Sequence, residues 1–245
     1  MKTELVVALI SVVVAVASGV LAIWGQSAST RLSAELEDLR TVENRRFERE
    51  KSVARYREPL GRAAYDLQSR LYNILQQGLI KVYHDNGSDR ERSYVLDNTV
   101  FLIAQYFAWT EIIRRDIQFL DLGADENTRQ LARLQDDVYF LWQTDKFSPL
   151  LRVFAGEQRA IGERMIRDGP RGPECIGYAM FLDETHKHRD ELLNALRTDV
   201  RDFSTRLPEA RPRLVAIQNA MIDLLDFLDP SYIRFPQERR IRVVS

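Results

Sequence analysis

The sequence has little cysteine, histidine, glycine or proline, and no excess of either charge. A single cysteine, Cys175, among 245 residues cannot close an internal disulfide, which excludes a stapled secreted scaffold. Eleven glycines and eight prolines beside 45% apolar residues are too few for a collagen-like or linker-type chain, and they leave enough apolar side chain for a packed core. With 35 basic against 36 acidic residues the formal net charge is -1, so the chain as a whole is not drawn to nucleic acid. Strand-type alternation of apolar and polar residues is missing before the C-terminal tail. The expected fold class is therefore all-α.

Leu5 to Trp24 reads LVVALISVVVAVASGVLAIW, twenty residues without a charge. As a helix rising about 1.5 Å per residue it reaches across a hydrocarbon core of about 30 Å. Ser11 and Ser18 are its polar groups, and their hydroxyls can bond back to helix carbonyls. A cleaved signal peptide is the rival reading, because Lys2 precedes the run and Ala15-Val16-Ala17 has a small-x-small form. The run continues through Val20, Leu21, Ile23 and Trp24, and a tryptophan suits the membrane interface, so an uncleaved single-pass anchor is favoured. Arg31, Arg40, Arg45, Arg46, Arg49 and Lys51 follow the span. By the positive-inside bias they place the body on the cytoplasmic side, and the unpaired thiol agrees. Ser11, Ala15 and Gly19 recur every fourth residue, a spacing through which two membrane helices can approach closely as a homodimer.

The expected organisation is a short flank over 1–4, the anchor over 5–24, a charged helical stalk over 25–58, a helical bundle over 59–230 and a basic tail over 231–245. Gln26 to Arg57 carries eight basic and six acidic residues, with opposite charges three or four apart such as Glu37 and Arg40, which suit an exposed helix. Leu32, Leu36 and Leu39 keep coiled-coil spacing, but Glu43, Arg46 and Glu50 interrupt it. Pro59 marks the next boundary. From there Leu60, Ala64, Leu67, Leu71, Ile74 and Leu75 predict a helix to about Tyr83, with a turn over His84 to Asp89. Ser88 and Glu91 have capping-box spacing and predict a helix start just before Tyr94. Val100 to Trp109 (VFLIAQYFAW) is too short to cross a bilayer and reads as a helix buried on all sides. Gly123 is the expected stop of that helix.

Further helices are expected over Glu126 to Thr144 and over Pro149 to Arg167, the second capped by Ser148 and ended by Asp168-Gly169-Pro170. Gly169 to Glu174 is the clearest interruption. Cys175 to Leu182 fits either strand or helix. Leu192, Leu196, Val200, Phe203 and Leu207 form one apolar stripe ended by Pro208, and Leu214, Ile217, Met221, Leu224 and Leu228 another ended by Pro230.

Asp183-Glu184-Thr185-His186-Lys187-His188 is the one cluster with metal-ligand chemistry. On a helix Asp183 and His186, or Glu184 and His188, share a face. A di-iron bundle needs two Glu-x-x-His motifs and two further glutamates, whereas here a single Asp-x-x-His stands beside Lys187 and Arg189. The expectation is therefore no metal, no cofactor and no catalytic set, with Asp183, Glu184, His186 and His188 as the candidates of an alternative metal-dependent enzyme. Cys175 follows a Pro/Gly loop and could be activated near a helix N-terminus, but no spacing brings a base to it. Gly169-Pro170-Arg171-Gly172-Pro173 lacks the Gly-Lys-Ser/Thr sequel of a phosphate loop. Gly156 and Gly162, costly inside a helix, suggest a close helix crossing or a polar pocket with Glu157, Arg159 and Glu163. Asp66, Gln68, Arg70, Asn73, Asp97, Asn98, Gln105 and Glu111 lie in or beside apolar helices, and those that are buried need partners. The tail Ser231 to Ser245 carries four arginines against one glutamate; it reads first as an ordinary frayed terminus, and the alternative is a segment that touches anionic headgroups or a protein partner.

Overall fold

A computed structural model describes Glu37 and residues 39–44, 56–117, 126–170, 172–187 and 190–244. The chain divides into two units, Met1–Val53 and Ala54–Ser245. In the first, Glu37 and residues 39–44 are helical and exposed, with the Thr41 hydroxyl donating to the Glu37 carbonyl at 2.8 Å. The apolar run 5–24, including Ser11, Ala15 and Gly19, lies outside the described residues. Among the described residues no helix is long and apolar enough to cross a membrane.

The second unit is helical, as its periodicities require. Helix α1 (56–76) buries Leu60, Ala63, Ala64, Leu67, Leu71 and Ile74, one stripe at spacings of three and four. It ends short of the expected Tyr83: Gly78 takes φ +66°, the left-handed conformation in which glycine carries no Cβ penalty. The next turn, Ile80–Asp85, is wound as a π-helix, so His84 belongs to an ordered turn rather than to the loop.

Helix α2 (Asp89–Ile117) starts on the anticipated cap, five residues earlier than expected. Ser88 N–H and Oγ each donate to Glu91 at 2.7 Å. Its middle is buried from Val100 to Ala108 apart from Gln105, and it packs against α4 (Ala155–Arg164), α5 (Tyr178–Lys187), α6 (Glu191–Leu228) and the π turn. Helix α3 (Glu126–Gln143) packs on α6. The Gly123 stop falls outside the described residues.

The helix expected over Pro149 to Arg167 is corrected at both ends. Residues 149–154 form a turn in which Leu151 adopts φ 59° and donates its N–H to Asp199 at 3.0 Å, while Val153 N–H reaches the Trp142 carbonyl. These long-range bonds replace the helical ladder, and α4 begins only at Ala155, with Glu157 accepting from Phe154 N–H at 2.8 Å. Beyond Arg164 the chain forms an antiparallel hairpin, β1 (Ile166–Gly169) and β2 (Gly172–Cys175), in the register Ile166 to Cys175. The expected interruption is thus this hairpin, and Cys175 closes a strand three residues before a helix begins.

Helix α6 continues through Pro208 because it bends first. Arg206 leaves helical dihedrals (φ -119°, ψ 15°), so Pro208 sits in the opening turn of the segment beyond the bend, where its missing N–H has no helical acceptor to serve. The two stripes read from sequence are the two halves of one bent helix.

The C-terminal tail is neither separate nor frayed. Phe235 stacks on Tyr65 at 5.1 Å between ring centroids and lies over Gly61, where a Cβ would come within 2.9 Å of its ring. Asp229 carboxylate oxygens accept the N–H groups of Ile233, Arg234 and Phe235 at 3.0 to 3.2 Å and pair with Arg240 at 2.7 Å. Burial alone would raise the Asp229 pKa, but these backbone donors and Arg240 hold it below the usual carboxylate range. Further along, buried Gln218 donates to the Ile241 carbonyl at 2.8 Å and accepts from Val243 N–H at 3.2 Å, serving the tail as a neighbouring strand would.

Gly162 is the contact point of α2 and α4, since a Cβ there would meet the Phe107 carbonyl oxygen at 2.6 Å, whereas Gly156 has nothing within 4 Å. Gly162→Ala is expected to cost about 1–3 kcal/mol through this overlap, and Gly156→Ala to leave stability unchanged or raise it by less than about 1 kcal/mol; urea titration separates them. Asp229→Asn removes the charge that faces Arg240 and is expected to cost about 3 kcal/mol. Hydrogen exchange would then rise first at residues 231–244.

Candidate functional site

Asp183 and Glu184 are exposed on α5, and Glu184 pairs with Arg167 of β1 at 3.3 Å. The side chains of His186 and His188 lie outside the described residues. Among the described residues no group of three potential metal ligands converges. Cys175 is pressed the opposite way from an activated thiolate: burial pushes its pKa up to about 12, and its Sγ faces the Ile176 carbonyl at 3.5 Å. Glu157 caps α4, Arg159 is exposed, and Glu163 pairs with Arg115 at 2.8 Å.

Several polar residues of the apolar helices are structural. Buried Glu111 accepts from Arg114 at 2.7 Å and from Arg115 at 2.8 Å; burial raises its pKa, and the two arginines more than offset that. Gln68 donates to the Arg239 carbonyl and accepts from Gln218, joining α1 to α6 and the tail. Asp66, half-buried, has its pKa raised by burial, with Arg62 opposing.

Two clusters had no signal in the sequence. Arg213 is fully buried, and its guanidinium donates to the carbonyls of Leu141, Trp142, Thr144 and Ser148 at 2.6 to 3.0 Å. It thereby satisfies the end of α3 that backbone geometry leaves open. In the π turn, His84 Nδ1 lies 2.9 Å from Asp85 Oδ1, which also accepts the Ser204 hydroxyl of α6 at 2.7 Å. The serine gives its hydrogen to the carboxylate and not to the imidazole, so this is no nucleophile and base; it ties the π turn to α6 just before the bend. His84 and Asp85 are neighbours in sequence, but the serine is 119 positions away.

The group best placed to meet a ligand gathers at α1, α2, α5 and α6. Buried Arg70 of α1 donates one guanidinium nitrogen to Asn98 Oδ1 and to Tyr94 Oη, the latter at 3.3 Å, and lies over the Tyr94 ring at 5.3 Å. Its other terminal nitrogen, Nη1, is buried without a partner. One residue earlier on α2, Asp97 faces Arg197 of α6 at 3.0 Å. Tyr178 of α5 senses all of them. Burial, Asp97 and Tyr94 raise its pKa while Arg70 and Arg197 lower it, with a net rise. Phe101 and Phe181 wall the group, 5.5 Å apart, with Phe101 5.2 Å from Tyr178. Of this group the sequence flagged Arg70, Asp97 and Asn98 as polar residues among apolar ones. Tyr94, Tyr178 and Arg197 carry no such signal.

No protein-family model, curated protein or solved structure matches the chain.

Arg213→Met is expected to destabilise the body by about 3 kcal/mol or more, because four carbonyls lose a charged donor. Arg213→Lys should recover only part of that for want of the planar fork, as read by chemical denaturation. Cys175 is expected to react with a thiol reagent at pH 8 far more slowly in the native chain than after unfolding, since its thiol holds its proton to about 12 instead of the ordinary 9.0. By linkage, its contribution to stability is complete below about pH 9 and is lost as pH rises toward 12.

Proposed function

We propose that the chain is a single-pass membrane protein whose helical body acts by binding, as a scaffold, sensor or assembly partner. The observation that carries this reading is the uncharged run Leu5 to Trp24, long enough as a helix for about 30 Å of hydrocarbon. It is supported by the charge-paired stretch Gln26 to Arg57 behind the run, which would hold the body away from the bilayer. The arginines of that stretch favour a cytoplasmic body, and Ser11, Ala15 and Gly19 offer a face for a second copy.

The chemistry of the described body supports binding more than catalysis. Glu111, Asp229, Arg213 and Gln218 are taken up by helix ends, neighbouring helices and the tail, and Cys175 is held as a neutral thiol. Among the described buried groups that lack a hydrogen-bond partner, Arg70 Nη1 is the terminal guanidinium nitrogen; the others include Gln105 Oε1, Tyr106 Oη, Trp142 Nε1 and Arg213 Nε.

Membranes from cells expressing the full chain are expected to retain it through an alkaline wash. Protease should cut between about Gln26 and Glu58 and release a compact helical fragment. Recovery of the chain in the soluble fraction, with an intact mass placing its first residue near Ser18, would overturn the anchor.

A further inference from the structure

We propose that Arg70 and Arg197 form a binding site for a small oxyanion, the carboxylate or phosphate group of a small molecule, where α1, α2, α5 and α6 meet. The proposal is independent of the membrane anchor. Its first support is the state of Arg70, which carries a permanent charge and is 7% exposed. The described partners of its guanidinium are the neutral oxygens of Asn98 and Tyr94, and Nη1 is buried with none. Leaving a buried charged donor unmade costs more than leaving a neutral one, and such a group marks the place where a ligand or water completes the structure.

The second support is placement. Asp97 and Asn98 are consecutive on α2, and Arg197 approaches the first from α6 while Arg70 approaches the second from α1. Arg197 Nε is ion-paired with Asp97 Oδ1 at 3.0 Å. Arg197 thus stands at a carboxylate and Arg70 at the neighbouring amide, beside the rings of Phe101, Tyr178 and Phe181. Apolar walls of this kind strengthen an ion contact by excluding water. The rim is reachable from solvent, because the Tyr94 side chain is half-exposed and Arg197 about a third exposed. A guanidinium presents planar paired donors, the geometry that carboxylate and phosphate oxygens match.

The test uses the full chain in detergent micelles. Inorganic phosphate and acetate are each titrated against chloride at matched ionic strength, with thermal unfolding and calorimetry as readouts. Saturable stabilisation by at least one of the two anions is expected, and the one that binds identifies the class of headgroup. Arg197→Gln, at the more exposed arginine, should weaken that binding at least tenfold while leaving the chain folded. Arg70→Lys should weaken it as well, since an ammonium cannot present the fork. Equal unfolding temperatures in chloride, phosphate and acetate would mean that water completes Arg70 and would overturn the proposal. Unchanged affinity in Arg197→Gln would overturn it too.

Discussion

The body is built around a helix with almost no solvent face along its middle. From Val100 to Ala108, α2 presents apolar side chains in nearly every direction, and each direction has to be covered by a different element. Helix α4 covers one side so closely that only glycine fits at position 162. Helix α6, α5 and the π turn cover others. Apolar burial, the dominant favourable contribution to folding, therefore dictates the arrangement of the elements, and much of the irregular backbone lies in the segments that carry the chain from one side of α2 to the next.

Those segments are secured by polar side chains reaching far along the sequence. Arg213 gathers the carbonyls at the end of α3 and the following loop. Asp229 gathers three N–H groups at the start of the tail, and Gln218 pairs with the tail's backbone. In each case a buried peptide group that would otherwise be unpaired is satisfied by a side chain. The tail closes over α1 and α6 in this way, which makes the four arginines of 231–245 part of the packed body as much as a basic surface. Arg240 is buried among Asp229, the Phe235 carbonyl and the Tyr232 ring.

Against that background the Arg70 cluster differs from the others. Arg213 spends both terminal nitrogens on four carbonyls and leaves Nε over, and Glu111 and Asp229 have several partners each, whereas Arg70 meets an amide and a tyrosine hydroxyl through one terminal nitrogen and leaves the other, Nη1, without a partner. The contrast rests on one physical rule, that buried charge is tolerated where it is answered.

What could be read from the residues alone were the features set within a turn or two of chain. The stripe of α1, the Ser88 and Glu91 cap, the all-round apolar stretch before Trp109 and the two stripes of α6 depend on side-chain spacing and on neighbours three or four positions away. Asp97, Asn98 and Arg70 stood out too, because polar side chains among apolar ones need partners. Which partners they have, and that Arg197 and Tyr178 join them, could not be read, since those contacts span up to four helices. The same reason explains the rest: Leu151 turns left-handed for Asp199, α4 is shortened by Val153 binding Trp142, and Phe235 folds back over Gly61. Each is decided by a group beyond the reach of a helical turn, from eleven residues away for Trp142 to well over a hundred for Gly61, whose position exists only once the core around α2 has closed.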